Sequence, residues 1–247
     1  MKKILCALLC ALFLFSAFAE RGIVVIYESC DETESAALPF EGVKIGIDPG
    51  HQAKGNNDKE PVAPGSKQTK AKVASGTRGI KSGSPEHEVN LQVSLLLRDI
   101  LTALGAEVLM TRETADVNIS NAERAVMMNE WGADAVVRIH CNGSIKSEAH
   151  GMGVYVRVTG AKADESYLLA QYLLSAMKNK TGARGQGVFK RDSYTGLNWS
   201  EVPCVLIEMG YMTNPEEDLL LNDPGYQEKL ALGIAKGLSA YFEAEKR

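Results

Sequence analysis

Cysteine and aromatic residues are scarce in this 247-residue chain: it has five cysteines, two tryptophans and 6% aromatics overall. Cys6 and Cys10 lie in the opening apolar run, which leaves Cys30, Cys141 and Cys204. An odd set of three cannot form a fully paired disulfide framework. Basic residues do not dominate either, with 27 Lys and Arg against 31 Asp and Glu. No basic stripe interleaved with aromatics occurs, which argues against a nucleic-acid partner. No self-similarity with a period of about 20 to 50 residues is visible, so solenoids and propellers are excluded. Past the N-terminus no apolar run is long enough for a membrane span.

The N-terminal run is itself informative. Lys2-Lys3 precedes apolar residues from Ile4 to about Phe15, then Ser16-Ala17-Phe18-Ala19, an A-x-A-like cleavage site. This predicts a signal peptide over residues 1–19 and a mature chain beginning at Glu20. An uncleaved anchor is the alternative, but the run is shorter than the roughly 20 residues a span requires. Cys10 lies too early, in too apolar a setting, to be a lipid-attachment site. Residues 20–42 are expected as an extension or linker: Ile23 to Tyr27 could add a strand, while Glu28 to Ala37 is acidic.

The rest fits one domain, 43–247, of class α/β. Strand-like runs at Val43–Asp48, Glu107–Met110, Ala135–Ile139, Gly153–Val158 and Val202–Ile207 alternate with helical patterns. The helices are expected after Pro85, at Ser120–Trp131, Asp164–Lys180 and Tyr226–Ala244. This is the rhythm of a largely parallel, mixed, twisted sheet covered by helices on both faces. Ser84 is the expected cap and Pro85 the first position of the first helix. Asn214-Pro215-Glu216-Glu217 reads as a turn opening a short helix.

Four polar residues stand out within that pattern. His51 follows a strand broken by Pro49-Gly50, His140 follows Ala135–Ile139, and Glu208 follows Val202–Ile207. Ligands in open α/β sheets sit outside the carboxyl ends of strands, so these three can meet in one crevice. Glu86 extends backwards the apolar face formed by Val89, Val93, Leu96, Leu97, Ile100, Leu101 and Leu104. Glu88, by contrast, falls with Gln92 and Asp99 on a polar side. Two imidazoles and a carboxylate, with a fourth position for water, are a catalytic zinc set. The spacings, about 35 and 54 residues, carry no weight alone. Compact H-E-x-x-H and H-x-x-E motifs are absent, since His51 is followed by Gln52-Ala53-Lys54. His87 could replace Glu86 only if the helix turned by about 100°.

Four strings occur in one order: Ile47-Asp48-Pro49-Gly50-His51, Glu86-His87-Glu88-Val89-Asn90-Leu91, Arg138-Ile139-His140-Cys141-Asn142, and Val202 to Asn214 around Glu208. Together they resemble the zinc-dependent N-acetylmuramoyl-L-alanine amidases of the amidase-3 type, which cut cell-wall peptidoglycan. The resemblance runs from about Val43 to Phe242 and takes in Thr111-Arg112, Asp116, Arg124, Gly151 to Val154 and Arg184 to Gly187. It implies that His51, Glu86 and His140 bind Zn2+, that Glu208 is the catalytic carboxylate, and that Asn90 orients the helix. Departures from the pattern are Cys141 after the second histidine, Met209 and Tyr211 around the last glutamate, and a long insertion after His51. None removes a ligand or the base.

The resemblance further implies hydrolysis of the amide between N-acetylmuramic acid and L-alanine, with peptidoglycan as partner and the cell envelope as location. Loss of residues 1–19 leaves 25 basic against 31 acidic residues, so net charge does not hold the chain on an anionic wall. The stretch Gln52–Gly83 carries Lys54, Lys59, Lys67, Lys70, Lys72, Arg78 and Lys81 with few apolar residues. It is expected as a loop that forms one wall of the cleft, with some cations meeting carboxylates of the peptide stem; a solvated basic loop is the other reading. Tyr211 and Trp199 are candidates for lining the cleft or for core packing. Two other functions stay open: a different zinc peptidase on wall peptides, and a peptidoglycan-binding protein without catalysis. Retention of all four polar positions argues against the second.

Overall fold

The computed structural model describes residues 38–245; the expected signal peptide and most of the expected extension lie outside them. Six strands form one sheet: β1 (Lys44–Pro49), β4 (Glu107–Met110), β5 (Ala135–Asn142), β6 (Met152–Val156), β7 (Gly185–Lys190) and β8 (Cys204–Tyr211). Their order is β4-β1-β5-β8-β6-β7. Pairs β1–β4, β1–β5, β5–β8 and β6–β7 are parallel, and β6 runs antiparallel to β8. Two further strands, β2 (Asn56–Pro61) and β3 (Thr69–Val73), pair antiparallel as a separate hairpin.

The helices are α1 (Glu86–Ala103), α2 (Asn121–Trp131), α3 (Ala163–Thr181), α4 (Thr195–Asn198), α5 (Pro215–Leu221) and α6 (Pro224–Glu245). Alternation along the strands sorts side chains to two faces. Ile45, Ile47, Val137, Ile139, Val205 and Ile207 join the apolar residues of α1, α3 and α6 in the larger core. Val136, Cys204 and Leu206 point the other way, to Met128 of α2 and Leu197 of α4. Each aliphatic side chain so buried contributes roughly 1.5–3 kcal/mol. Phe40, within the stretch expected as an extension, is also fully buried and packs edge-on to Phe242.

The connection from β1 leads through α1 to β4 on one side, and the chain then returns through α2 to β5 on the other. Such a reversal of direction opens a crevice at the carboxyl ends of β1 and β5. Helix α1 starts without a side-chain cap, with Pro85 rather than Ser84 in the cap position and Glu86 as the first helical residue. Helix α2 has a full capping box between Ser120 and Glu123.

Strand ends differ from the sequence expectation. β5 continues through His140 to Asn142, and β8 continues past Glu208 to Tyr211. Each run was expected to stop at its polar residue; backbone pairing between β5 and β8 carries both further, with a register shift beyond His140.

Candidate metal centre

His140 of β5 and Glu208 of β8 are register partners on adjacent strands, so their side chains leave the same face of the sheet. His51 lies just past β1, in the left-handed region at φ 60°. Few side chains other than glycine and asparagine adopt that conformation, and strain of this kind clusters at functional sites. Glu86 enters from the first turn of α1. Its Oε1 lies 3.1 Å from His51 Nε2 and 3.2 Å from His140 Nδ1. One donor atom from each of the three lies within 4.8 Å of the others.

The surroundings fix each of these groups. His51 Nδ1 lies 2.7 Å from the Ala74 carbonyl, which can only accept, so the ring carries its proton there. Its Nε2 lone pair then faces a carboxylate oxygen, and two facing acceptors require a cation or an added proton between them. Glu86 Oε2 accepts from Thr77 N at 2.8 Å, and Oε1 from Cys141 N at 3.1 Å and Asn90 Nδ2 at 3.2 Å. Asn90 Nδ2 also reaches the Gly50 carbonyl at 3.3 Å, tying α1 to the end of β1. Gly50 leaves room for His140: a Cβ there would stand 2.3 Å from the ring.

Electrostatics sort the groups by role. Burial, against a weaker pull from Glu86, pushes the His140 imidazole down to about 4, so the ring is neutral near pH 7. Burial lowers the His51 imidazole too, but the hydrogen bond to Glu86 and its charge outweigh this and raise it. Burial works to raise the Glu86 carboxyl, yet the two imidazoles hold it well below the usual range. Glu208 is pushed well above that range, first by burial and then by the Glu86 charge. His140 Nε2 and Glu208 Oε2 are buried without partners. A cation beside Glu86 would meet the facing lone pairs and relieve the penalty on Glu208, so these residues fit a divalent metal such as Zn2+.

A cleft of about 490 Å³ opens over these four residues. Its other walls come from Lys70 and Ala74 to Thr77 after the hairpin, from Asn121 at the start of α2, and from Tyr194 to Gly196 at α4. Beneath it lies a buried ionic cluster, in which Asp48 meets Arg124 at 2.8 Å and Arg138 at 3.0 Å. Arg112 donates to the carbonyls of Pro49, Gly50 and His87, and Arg124 to those of Pro49 and His51. These guanidinium groups hold the chain around His51 and the start of α1 in place.

All four expected site residues therefore line one cleft. Of the aromatic candidates, Trp199 lies elsewhere, donating to the Pro61 carbonyl and lining a groove with Trp131. Tyr211 donates its hydroxyl to Gln186 at 3.2 Å and does not line the cleft. Tyr194, not singled out in the sequence, takes that place. Ala74 and Thr77 act through their backbones, so no side-chain pattern could have revealed them. Asp48 did carry a signal, a charged residue inside an apolar strand. His87 is buried but stands outside the ligand group, and Cys141 is a buried free thiol.

Comparison with known proteins gives concordant results. Residues 45–240 match the family model Amidase_3, described as N-acetylmuramoyl-L-alanine amidase. The chain is 28% identical over 240 residues to the N-acetylmuramoyl-L-alanine amidase Rv3717 of Mycobacterium tuberculosis, covering 91% of this chain and 97% of that one. Among solved structures it resembles the amidase Ami1 of Mycobacterium smegmatis, with a TM-score of 0.76 at 29% identity over 83% of this chain and 99% of the other. An N-acetylmuramoyl-L-alanine amidase of Clostridium difficile 630 superposes with a TM-score of 0.70 at 28% identity, covering 82% and 98%.

Proposed function

This chain belongs to the N-acetylmuramoyl-L-alanine amidase family Amidase_3, and from that premise we propose how its residues divide the work. It is a peptidoglycan amidase, and the bond cut joins the lactyl carbonyl of N-acetylmuramic acid to the amine of L-alanine. His51, Glu86 and His140 hold a Zn2+ ion. The observation that carries this reading is the convergence of His51 Nε2 and His140 Nδ1 on one oxygen of Glu86, at 3.1 and 3.2 Å, in the cleft that also holds Glu208.

A zinc ion held there supplies positive charge for the scissile carbonyl and lowers the pKa of water towards about 7. Glu208 takes the proton of the attacking water and delivers it to the nitrogen of the departing alanine. Its place in the cleft and its unpartnered Oε2 suit that task, because among the described residues no hydrogen-bond donor occupies the oxygen that takes the proton. Asn90 and the backbone of Thr77 and Cys141 orient Glu86, and Ala74 sets the tautomer of His51.

Export accompanies this function. Residues 1–19 are a cleaved signal peptide and the mature chain acts in the cell envelope; no described helix is long and apolar enough to cross a membrane. Metal analysis of the purified chain tests the ligand set. One zinc per chain is expected, lost in His51→Ala, Glu86→Gln and His140→Ala together with amine release. Full activity of a metal-free chain would refute it, and a new amine on a residue other than alanine would mark an endopeptidase instead.

A further inference from the structure

The ionic cluster under the cleft is not balanced. Among the described residues Asp48 is the one carboxylate in ion-pair contact with Arg124 and Arg138, and Arg112 adds a third guanidinium close by. Arg138 gives one nitrogen, Nη2, to Asp48 and to Asn121 Oδ1 at 2.7 Å. Among the described residues its Nε and Nη1 have no hydrogen-bond partner; Nη1 is packed against Gly196, which leaves Nε as the donor on offer, although the residue is only 4% exposed and contributes to the cleft wall. Thr195 Oγ1, in the same wall, is buried and unpartnered too. An unpartnered guanidinium N–H this deep costs free energy unless a ligand oxygen completes it.

Lys70 brings a further cation to that end. Of the seven cations between Gln52 and Gly83, it is the one that lines the cleft. Its ammonium donates to the Ser193 carbonyl at 2.9 Å and stands over the Tyr194 ring, 6.0 Å from the centroid. One of its three protons is so used. Lys72 is spent on Asp58 at 3.8 Å, and Lys67 is exposed outside the cleft. Burial and the charge of Arg138 lower the Lys70 ammonium, partly offset by Glu60, which places the two cations within reach of one field.

We propose that Lys70 and Arg138, with Thr195, form a subsite that accepts a free carboxylate of the stem peptide. The proposal rests on the amidase reading and adds a specificity to it. Arg138 and His140 are two residues apart on β5, roughly 7 Å along the strand and on the same face. A peptide extended from the scissile amide covers about that distance in two residues. The carboxylate accepted is therefore one carried by the second residue of the stem, and the subsite distinguishes it from a carboxamide. The negative charge of that ligand meets Lys70 and Arg138, which Glu60 and Asp48 balance only from behind the cleft wall, while Glu86 and Glu208 serve the metal end.

Two N-acetylmuramoyl dipeptides that differ only in a carboxylate or a carboxamide on the second residue test this. Their binding is measured by calorimetry to the zinc-loaded Glu208→Gln protein, so that the readout does not depend on turnover. The carboxylate form is expected to bind roughly tenfold tighter, the scale of one charge-assisted contact. That preference falls towards one in Glu208→Gln proteins that also carry Lys70→Gln or Arg138→Lys, with circular dichroism confirming the fold of each. With active protein the same preference appears in KM rather than kcat. Equal binding of the two dipeptides, or a preference untouched by Lys70→Gln, overturns the subsite. Loss of cleavage with the binding preference intact counts against the amidase chemistry and leaves the subsite standing.

Discussion

At the scale of single residues, two glutamates of one kind are driven in opposite directions by their neighbours. Glu86 is surrounded by imidazole and backbone N–H donors and stays ionised, whereas Glu208 is buried with an unpartnered oxygen and another carboxylate nearby. On the proposed reading that division separates a ligand from a proton carrier. Glu208→Gln is expected to lower kcat by about 10²- to 10⁴-fold while zinc content stays at one per chain, as kinetics and metal analysis on the same sample will show. Gly50→Ala acts differently, because the new methyl would occupy the space of the His140 ring. Its expected outcome is a folded protein with weakened zinc retention, read by titration with a competing chelator. The grouping of these residues was legible from the sequence to the extent that side chains carry it. His51, Glu86, His140 and Glu208 stood out as polar residues at the ends or inner faces of apolar elements. The Ala74 carbonyl and Thr77 amide were not legible, since a backbone group leaves no mark in residue identity.

At the scale of elements, strong periodicity decided what could be read. The apolar face of α1 and the β-branched runs of β1, β5 and β8 follow from side-chain spacing, and each was found within a few residues of its expected place. The hairpin β2–β3 was expected as a loop, because Asn56-Asn57-Asp58-Lys59-Glu60-Pro61 lacks both alternation and β propensity. Contacts from outside hold it. Glu60 accepts from Ala122 N, Asn121 donates to the Lys72 carbonyl, and Trp199 and Asn198 donate to those of Pro61 and Val62. The expectation that this stretch walls the cleft agrees with the position of Lys70 and Ala71. Strand β7 was missed for a similar reason, as Gly185-Gln186-Gly187 reads as a turn and extends only by pairing with β6. Helix α2 supports the hairpin from its N-terminus, where Ser120 Oγ accepts from Glu123 N at 3.2 Å and Glu123 Oε2 from Ser120 N at 2.7 Å. Ser120→Ala is expected to cost about 1 kcal/mol in denaturant unfolding. No change there would show that hairpin contacts alone fix that helix end.

At the scale of the whole molecule, the sheet binds two differently built halves. One face carries α1, α3 and α6 on a large apolar core; the other carries α2, α4 and the hairpin over a smaller core and the ionic cluster. Stability in acid should follow that cluster. Burial raises the Asp48 carboxyl, but Arg138, Arg124 and Thr111 more than offset this and hold it well below its ordinary value. A group so depressed stabilises the fold fully above its unfolded pKa of about 4, and that contribution is lost as pH falls below this towards the folded value. Urea titrations between pH 6 and pH 2 should therefore show the wild type losing stability over that acid range. Asp48→Asn should start lower at neutral pH and fall less steeply; parallel curves would assign the acid response to other carboxylates. The central claim concerns the cleft at the carboxyl ends of β1 and β5, and a digest tests it most directly. Purified peptidoglycan is treated with residues 20–247 of the chain, with zinc, with chelator and with Glu208→Gln, and the released fragments are read by mass spectrometry. Stem peptides with free N-terminal alanine, released only by the zinc-loaded wild type, are the predicted result. Equal release by the chelated protein or by Glu208→Gln would contradict the assignment of the metal and the base.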